Sequence, residues 1–376
     1  MMGPKFDRRR FLGLTLAAGG LANTKGADFY LHSSRPLDLE TPVEAFRTDL
    51  TPNEAFFVRS HHDEPTVDAR AWRLRVEGLV GHKLSLSLAD LKKLPRHELT
   101  AVLQCAGNGR GAFRPGVPGV AWQVGGVGNA RWAGVRLADV LARAGLKPGA
   151  AHVGLHGVDA PVLPTTPKFA RSIPLPKALH PDTLLAYEMN GAPLPRLHGF
   201  PLRVVVPGWV GDDWIKWLER IEVRADEDPG FFVQKGYRYP VHPGPPGEPV
   251  PVEATAPMTE LVVKSLIAAP AHHQRLKPGP ITVEGVAWTG GDARIAQVEI
   301  SVDGNVSWRP AELLGEDRPY GWRRFRAVWS APAGHHVVSA RATDTRGAAQ
   351  PLQDPPWNPG GYLWNGIHGV VVEVGP

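Results

Sequence analysis

The chain has 376 residues, 43% of them hydrophobic, with 42 glycines, 38 prolines, one cysteine and a formal net charge of +5. It is long enough for two packed domains and holds no run of eighteen apolar residues that would mark a membrane-spanning helix. Residues 1–27 carry five Lys or Arg and one Asp; taking these from the 42 basic and 37 acidic residues leaves 37 and 36, a nearly neutral remainder with no basic stripe, so nucleic-acid binding is excluded.

In chain order, the first residues, MMGPKFDRRRFLGLTLAAGGLA, combine a basic stretch, the pair Arg8-Arg9, Phe11-Leu12 and a short apolar run. This predicts a twin-arginine export signal over 1–27, with cleavage after Ala22 or Ala27, and a periplasmic destination. That export route carries folded proteins, often with a cofactor already inserted, so a bound cofactor is expected. In an oxidising compartment a lone cysteine has no partner within the chain. Cys105 is therefore either a buried small hydrophobe or a thiolate with a task.

Residues 53–60 (NEAFFVRS) and 72–79 (WRLRVEGL) read as strands, and SLADLKKL as a short helix capped by Ser87. VRLADVLARAGL places Leu137, Val140, Leu141 and Ala144 on one helical face and stops at Gly145. Strands follow at 152–158 and 202–206, so residues 28–239 are expected to form a mixed α+β domain. Residues 240–252 are proline-rich and read as an extended linker. Beyond it, alternating segments such as AQVEISVDG, with Val298, Ile300 and Val302 on one face, predict an immunoglobulin-like sandwich over 253–376.

The cysteine lies in LQCAGNGRG, residues 103–111. The glycines do not supply G-x-G-x-x-G between a strand and a helix, and no phosphate-binding P-loop occurs. A blue-copper site would need His and Met soon after Cys105, and no such residue occurs before His152. The doublets His272-His273 and His335-His336 read as solvated loops, not a zinc site. A papain-like nucleophile stays formally open. The pattern reads better as a strand that delivers a thiolate into a loop of backbone donors, with Arg110 holding the thiolate by lowering its pKa. A thiolate is a soft ligand for a transition metal.

LQCAGNGR resembles the cysteine motif of the sulfite oxidase family, and the likeness extends over most of the chain. NEAFFVRSHHDEP, the stretch AYEMNGAPLPRLHGFPLRVVVPGWVGDDWIKWL, VQKGYRYP and the terminal WNPGGYLWNGIHGVVVEV each resemble family segments. The resemblance implies molybdenum on a molybdopterin cofactor, with Cys105 as metal ligand. It puts Arg59, His61, Arg110 and Tyr237 around the oxyanion pocket as catalytic residues. Phe57, Arg59, Asp159, His198, Arg203, Trp214 and Lys216 are implied as contacts of the pterin or its phosphate.

The implied reaction is oxidation of sulfite to sulfate by a homodimer joined through its second domain. No haem-binding segment or C-x-x-C-H is present, so electrons are expected to leave for an external acceptor, a cytochrome or oxygen. The alternative is a periplasmic molybdenum reductase of a sulfoxide or another oxyanion. Two arginines suit a small, strongly hydrated anion, which favours sulfite. The sequence departs from the family at Gly109, often a second arginine, at Ser60, often asparagine, and in WNPGG, where vertebrate members carry an arginine nearby.

Overall fold

In the computed structural model the described residues are 29–375, together with the backbone of the short strand Lys5–Phe6; the rest of the expected export signal lies outside them. Strands dominate. The four α-helices among the described residues are Leu88–Leu91, Leu137–Ala144, Leu175–Ala178 and Phe231–Gln234, so the expectation of a mixed α+β first half is met only by short connecting helices. None of these is long and apolar enough to cross a membrane.

Two sheets organise the first half. One has five strands in the order Ala170–Pro174, His152–Gly157, Leu218–Arg224, Leu74–Gly78 and Leu84–Leu86, with Leu218–Arg224 parallel to Leu74–Gly78. The other runs Ala192–Pro193, Leu184–Met189, Val127–Arg136 and His97–Gln104, and Arg203–Val205 also pairs with Leu184–Met189.

The helix Leu137–Ala144 forms as its spacing predicts. Leu137, Val140, Leu141 and Ala144 are all fully buried, and Gly145 ends it at φ 68°, where a side chain would be strained. Leu141→Ala is expected to destabilise the protein by about 2–5 kcal/mol, read from the urea midpoint, because the cavity cannot close against the sheet. The Ser87 cap is also present. Its hydroxyl accepts from Asp90 N–H and the Asp90 carboxylate accepts from Ser87 N–H, although the helix stops at Leu91.

Residues 53–60 differ from the expected strand: Asn53–Ala55 is a 3-10 turn after Pro52, and only Val58–Arg59 is paired as a strand. The buried Phe56 and Phe57 fill the core under the cleft instead of alternating along a sheet. The expected linker is a loop whose flanks pair: Arg238–Pro240 lies antiparallel to Thr255–Pro257.

The second half is two sheets that face each other. Lys264–Ala269, Gly279–Trp288, Arg323–Ala331 and Glu312–Leu314 form one; Gln274–Leu276, His368–Val374, Gly334–Asp344, Ile295–Ser301 and Arg309–Pro310 form the other. Val283 and Phe325 from the first meet Val298, Val338 and Val372 from the second in one core. His335 and His336 are in the strand Gly334–Asp344, not in a loop as expected. A further apolar cluster joins the halves, with Val102, Ala106 and Tyr237 from the first against Leu266, Val286 and Trp288 from the second.

Candidate active site

The strand His97–Gln104 delivers Cys105 to a tight loop at the junction of the two halves. Cys105 N–H donates to the Gly126 carbonyl at 2.9 Å, and the Cys105 carbonyl accepts from Asn108 N–H at 2.9 Å. Gly109 takes φ 96° with Trp364 against it, a position that excludes a side chain without rearrangement.

The second half grips this loop at several points. Trp288 Nε1 donates to Gln104 Oε1 at 2.9 Å, Leu363 N–H to the Ala106 carbonyl at 2.9 Å and Lys264 Nζ to the Asn108 carbonyl at 3.3 Å. The C-terminal WNPGGYLW segment is therefore part of the cysteine loop's support, though it carries no arginine.

Cys105 lines a cleft with a cavity volume of about 70 Å³. Among the residues implied by the sequence, Phe57, Arg59, His61, Asp159, His198, Arg203, Trp214, Lys216 and Tyr237 line the same cleft. Arg110 does not. Its Nε donates to the Gly360 carbonyl at 3.0 Å and its Nη1 to the Val120 carbonyl at 3.1 Å, and the guanidinium lies over the Tyr362 ring. Arg110 thus ties the cysteine loop to the C-terminal segment.

The expectation that Arg110 keeps Cys105 ionised is corrected in the same place. Burial pushes the thiol pKa up and outweighs both Arg59 and Arg110, of which Arg59 acts more strongly. In this environment the sulfur holds its proton until a cation replaces it.

Arg59 Nη1 meets Asp38 Oδ1 at 3.2 Å and also bonds the Ser60 carbonyl. His61 Nε2 and the Tyr237 hydroxyl share a hydrogen bond of 2.5 Å, and the His61 ring stacks on Phe169 at 3.8 Å. Burial first, and Arg59 second, hold the His61 pKa well below its ordinary value, while burial holds that of Tyr237 well above, so both are neutral. Tyr237 sits at φ 53°, a left-handed conformation that a non-glycine residue adopts only when its surroundings enforce it.

Arg203, Lys216 and His198 lie together in the same cleft. Arg203 is 2% exposed; its Nη1 and Nη2 donate to the His198 and Trp214 carbonyls at 3.0 Å each, and its Nε has no partner. Its guanidinium lies 4.9 Å from the Trp132 ring, and burial pulls its pKa down to about 9 with no carboxylate to offset it. Lys216 Nζ donates to Ser60 Oγ and the Leu197 carbonyl, both at 3.0 Å, and its pKa is pulled down to about 7 by burial and then Arg203. His198 is held near 3 by burial, Lys216 and Arg203.

The pKa values of Lys216 set a pH dependence. Between about 7 and its ordinary 10.5 the unfolded chain binds a proton that the folded chain does not, so cofactor-free stability from this group rises with pH and its penalty is complete below 7. Lys216→Met should flatten the stability gain between pH 7 and 9 by on the order of 1–2 kcal/mol, measured by urea unfolding.

Sequence reasoning missed several cleft groups. Asp212 lines the cleft with both carboxylate oxygens buried and lacking a hydrogen-bond partner, 3.0 Å from Arg171 Nη2, and burial raises its pKa. Arg171 is 3% exposed, donates from Nε to Asp213 Oδ1 at 2.8 Å and lies over the Tyr237 ring. The acidic doublet in GDDW, beside an otherwise cationic stretch, is the signal that could have pointed to this cluster.

The chain matches two family models: an oxidoreductase molybdopterin binding domain over residues 61–232 and a Mo-co oxidoreductase dimerisation domain over residues 255–375. Sulfite oxidase from Gallus gallus is 40% identical over 354 residues, covering 90% of this chain and 76% of that protein. Sulfite oxidase from Arabidopsis thaliana is 35% identical over 371 residues, covering 92% and 94%. The chain belongs to the sulfite oxidase family.

The mitochondrial sulfite oxidase of Homo sapiens is 41% identical, covering 92% of this chain, which spans only 66% of that longer relative. Among solved structures, the sulfane dehydrogenase SoxCD from Paracoccus pantotrophus superposes with a TM-score of 0.78 at 28% identity, covering 96% of this chain and 90% of that one.

Membership implies molybdenum carried on molybdopterin, and the residues fit that group. Arg203 brings a buried positive charge with an orphaned donor, and Lys216 and the neutral His198 stand beside it, a set that suits a phosphate. Cys105 offers a sulfur to the same cleft, which suits a soft metal. The sulfite oxidase family reading thus accounts for both sets of residues.

Proposed function

We propose that this sulfite oxidase family chain oxidises sulfite to sulfate, SO₃²⁻ + H₂O → SO₄²⁻ + 2H⁺ + 2e⁻. The observation that carries this reading is one cleft that brings together a thiol, Arg59, a tyrosine paired with a histidine, and the buried side chains of Arg203, Lys216 and His198. When bound, the molybdenum cofactor supplies oxygen-atom transfer and accepts the two electrons. Cys105 holds the metal; Arg203, Lys216 and His198 hold the pterin phosphate, with Phe57, Asp159 and Trp214 shaping the pterin site.

Arg59 replaces the water lost by the anion with a charge-assisted donor that cannot deprotonate. Tyr237, fixed by His61, presents a neutral hydroxyl that can give or take a proton as sulfate forms. The burial-raised pKa of Asp212 limits the repulsion its carboxylate would otherwise exert on sulfite. Arg110 acts by tying the cysteine loop to the C-terminal segment. An uncharged sulfoxide gains less from the Arg59 charge than the sulfite anion does, so the oxidase reading is favoured over a sulfoxide reductase.

The export signal, a periplasmic location, a cytochrome as electron acceptor and an immunoglobulin-like form for the second domain belong to the same proposal. The last is supported by its two facing sheets and disulfide-free core, and a homodimer by the dimerisation-domain match over 255–375. The test is steady-state turnover of the cofactor-loaded protein. Sulfite-dependent reduction of ferricyanide or cytochrome c, at a kcat/KM at least about 100-fold above that for any sulfoxide in the reverse assay, is the expected result. Sulfoxide reduction without sulfite oxidation would overturn it.

A further inference from the structure

On the five-stranded sheet, away from the cleft, His156, Glu222 and Asp228 converge. Ser172, Gly154 and Glu222 stand in register across three neighbouring strands. The lack of a side chain at Gly154 leaves the space into which the His156 ring turns; a Cβ there would stand 3.2 Å from His156 Nε2. His156 is 5% exposed, and its Nε2 has no hydrogen-bond partner. That nitrogen lies 3.5 Å from Asp228 Oδ2 and 3.7 Å from Glu222 Oε2, and the three ligand atoms lie within 4.8 Å of one another. Such separations are longer than hydrogen bonds. On a tetrahedral ion with bonds of about 2.0–2.2 Å, neighbouring ligand atoms lie about 3.3–3.6 Å apart, so the Asp228 separation fits and Glu222 needs to close by a small movement.

We propose that His156, Glu222 and Asp228 form a second metal site, for a divalent ion of the zinc class. The chemistry of the donors agrees: burial and then Arg220 and Lys168 work against protonation of His156 over the pull of Asp228 and Glu222, leaving a neutral imidazole as a ligand must be. Asp228 is already aimed, since its N–H donates to Ser172 Oγ at 2.9 Å and its Oδ1 accepts from Gly230 N–H at 2.8 Å, which leaves Oδ2 for the ion.

Glu222 is shared with two guanidiniums, Arg220 Nη1 on Oε2 and Arg224 Nη1 on Oε1, each at 2.9 Å. Arg220 has a second acceptor 3.4 Å away in Glu77 Oε1, to which it can turn when an ion takes Oε2. The ion would brace the segment from Asp228 into the helix Phe231–Gln234, whose Phe232 ring packs 5.1 Å from His61, and on to Tyr237.

The test is zinc titration of the molybdenum-loaded full chain after dialysis against chelator, with competition by a chromophoric zinc indicator. Wild type should bind one more zinc than His156→Gln and than Asp228→Asn, each with an affinity at that site at least about 100-fold lower. Zinc should also raise the unfolding temperature of wild type alone. Circular dichroism and molybdenum content that match wild type establish that both variants are folded. Equal zinc stoichiometry in all three proteins, or no zinc uptake by wild type, would overturn the proposal. Neither outcome depends on sulfite turnover.

Discussion

Cys105→Ser is expected to lower kcat/KM for sulfite by at least about 100-fold while the fold survives. The loop's hydrogen bonds to Gly126 and Asn108 use the Cys105 backbone, and the contacts from Trp288, Leu363 and Lys264 fall on neighbouring residues, so none needs the sulfur. Serine fits the same space, but its hydroxyl is far less acidic than a thiol and supplies no sulfur donor to tune the metal. The variant should keep its circular dichroism spectrum and much of its pterin while losing the thiolate-to-metal absorption. Activity within threefold of wild type, with that absorption retained, would remove Cys105 from the metal.

Arg203→Met should act in opposite directions on the loaded and the cofactor-free protein. Arg203 is buried, lacks an anionic partner and leaves Nε unsatisfied, so in the cofactor-free state it is a desolvated charge only partly offset by two carbonyls and the Trp132 face. A methionine of similar length should raise cofactor-free stability by on the order of 1 kcal/mol. It should weaken pterin retention by about 2–5 kcal/mol, a loss of roughly 30-fold or more, because a charge-assisted contact to the phosphate disappears. Molybdopterin content after gel filtration and the melting temperature of protein from a cofactor-deficient host read the two effects separately. A variant destabilised without cofactor and unchanged in pterin content would mean that Arg203 serves only the core.

The parts of the fold that the sequence made legible are those governed by local rules. The apolar face of Leu137–Ala144, its stop at Gly145 and the reciprocal bonds of Ser87 and Asp90 depend on residues within a turn or two of one another. The misread parts are those decided by distant partners. Phe56 and Phe57 look like strand residues, yet the buried Trp132 and Trp122 rings that they meet hold them in an irregular turn. The proline-rich stretch after 240 looks like a spacer, but pairing of its flanks makes it a closed loop.

The cleft follows the same division. The family resemblance placed about half of its lining, chiefly the polar and aromatic side chains, while most of the apolar lining around them was not picked out. Arg110 was implied and lies outside it, since its direction depends on carbonyls of Val120 and of Gly360, 250 positions away. Asp212 and Arg171 were invisible for a related reason. A buried acid and its guanidinium acquire meaning only when packing brings the turn Gly211–Asp213 against the strand Ala170–Pro174, and each alone reads as an ordinary surface charge.

The central claim is that Cys105 ligates a molybdenum centre that sulfite reduces. Its most direct test is molybdenum analysis of the purified protein, followed by anaerobic addition of sulfite while the thiolate-to-metal absorption is recorded. The account predicts about one molybdenum per chain, bleaching by sulfite and recovery on adding ferricyanide or a cytochrome. A full complement of molybdenum with a spectrum indifferent to sulfite would contradict it.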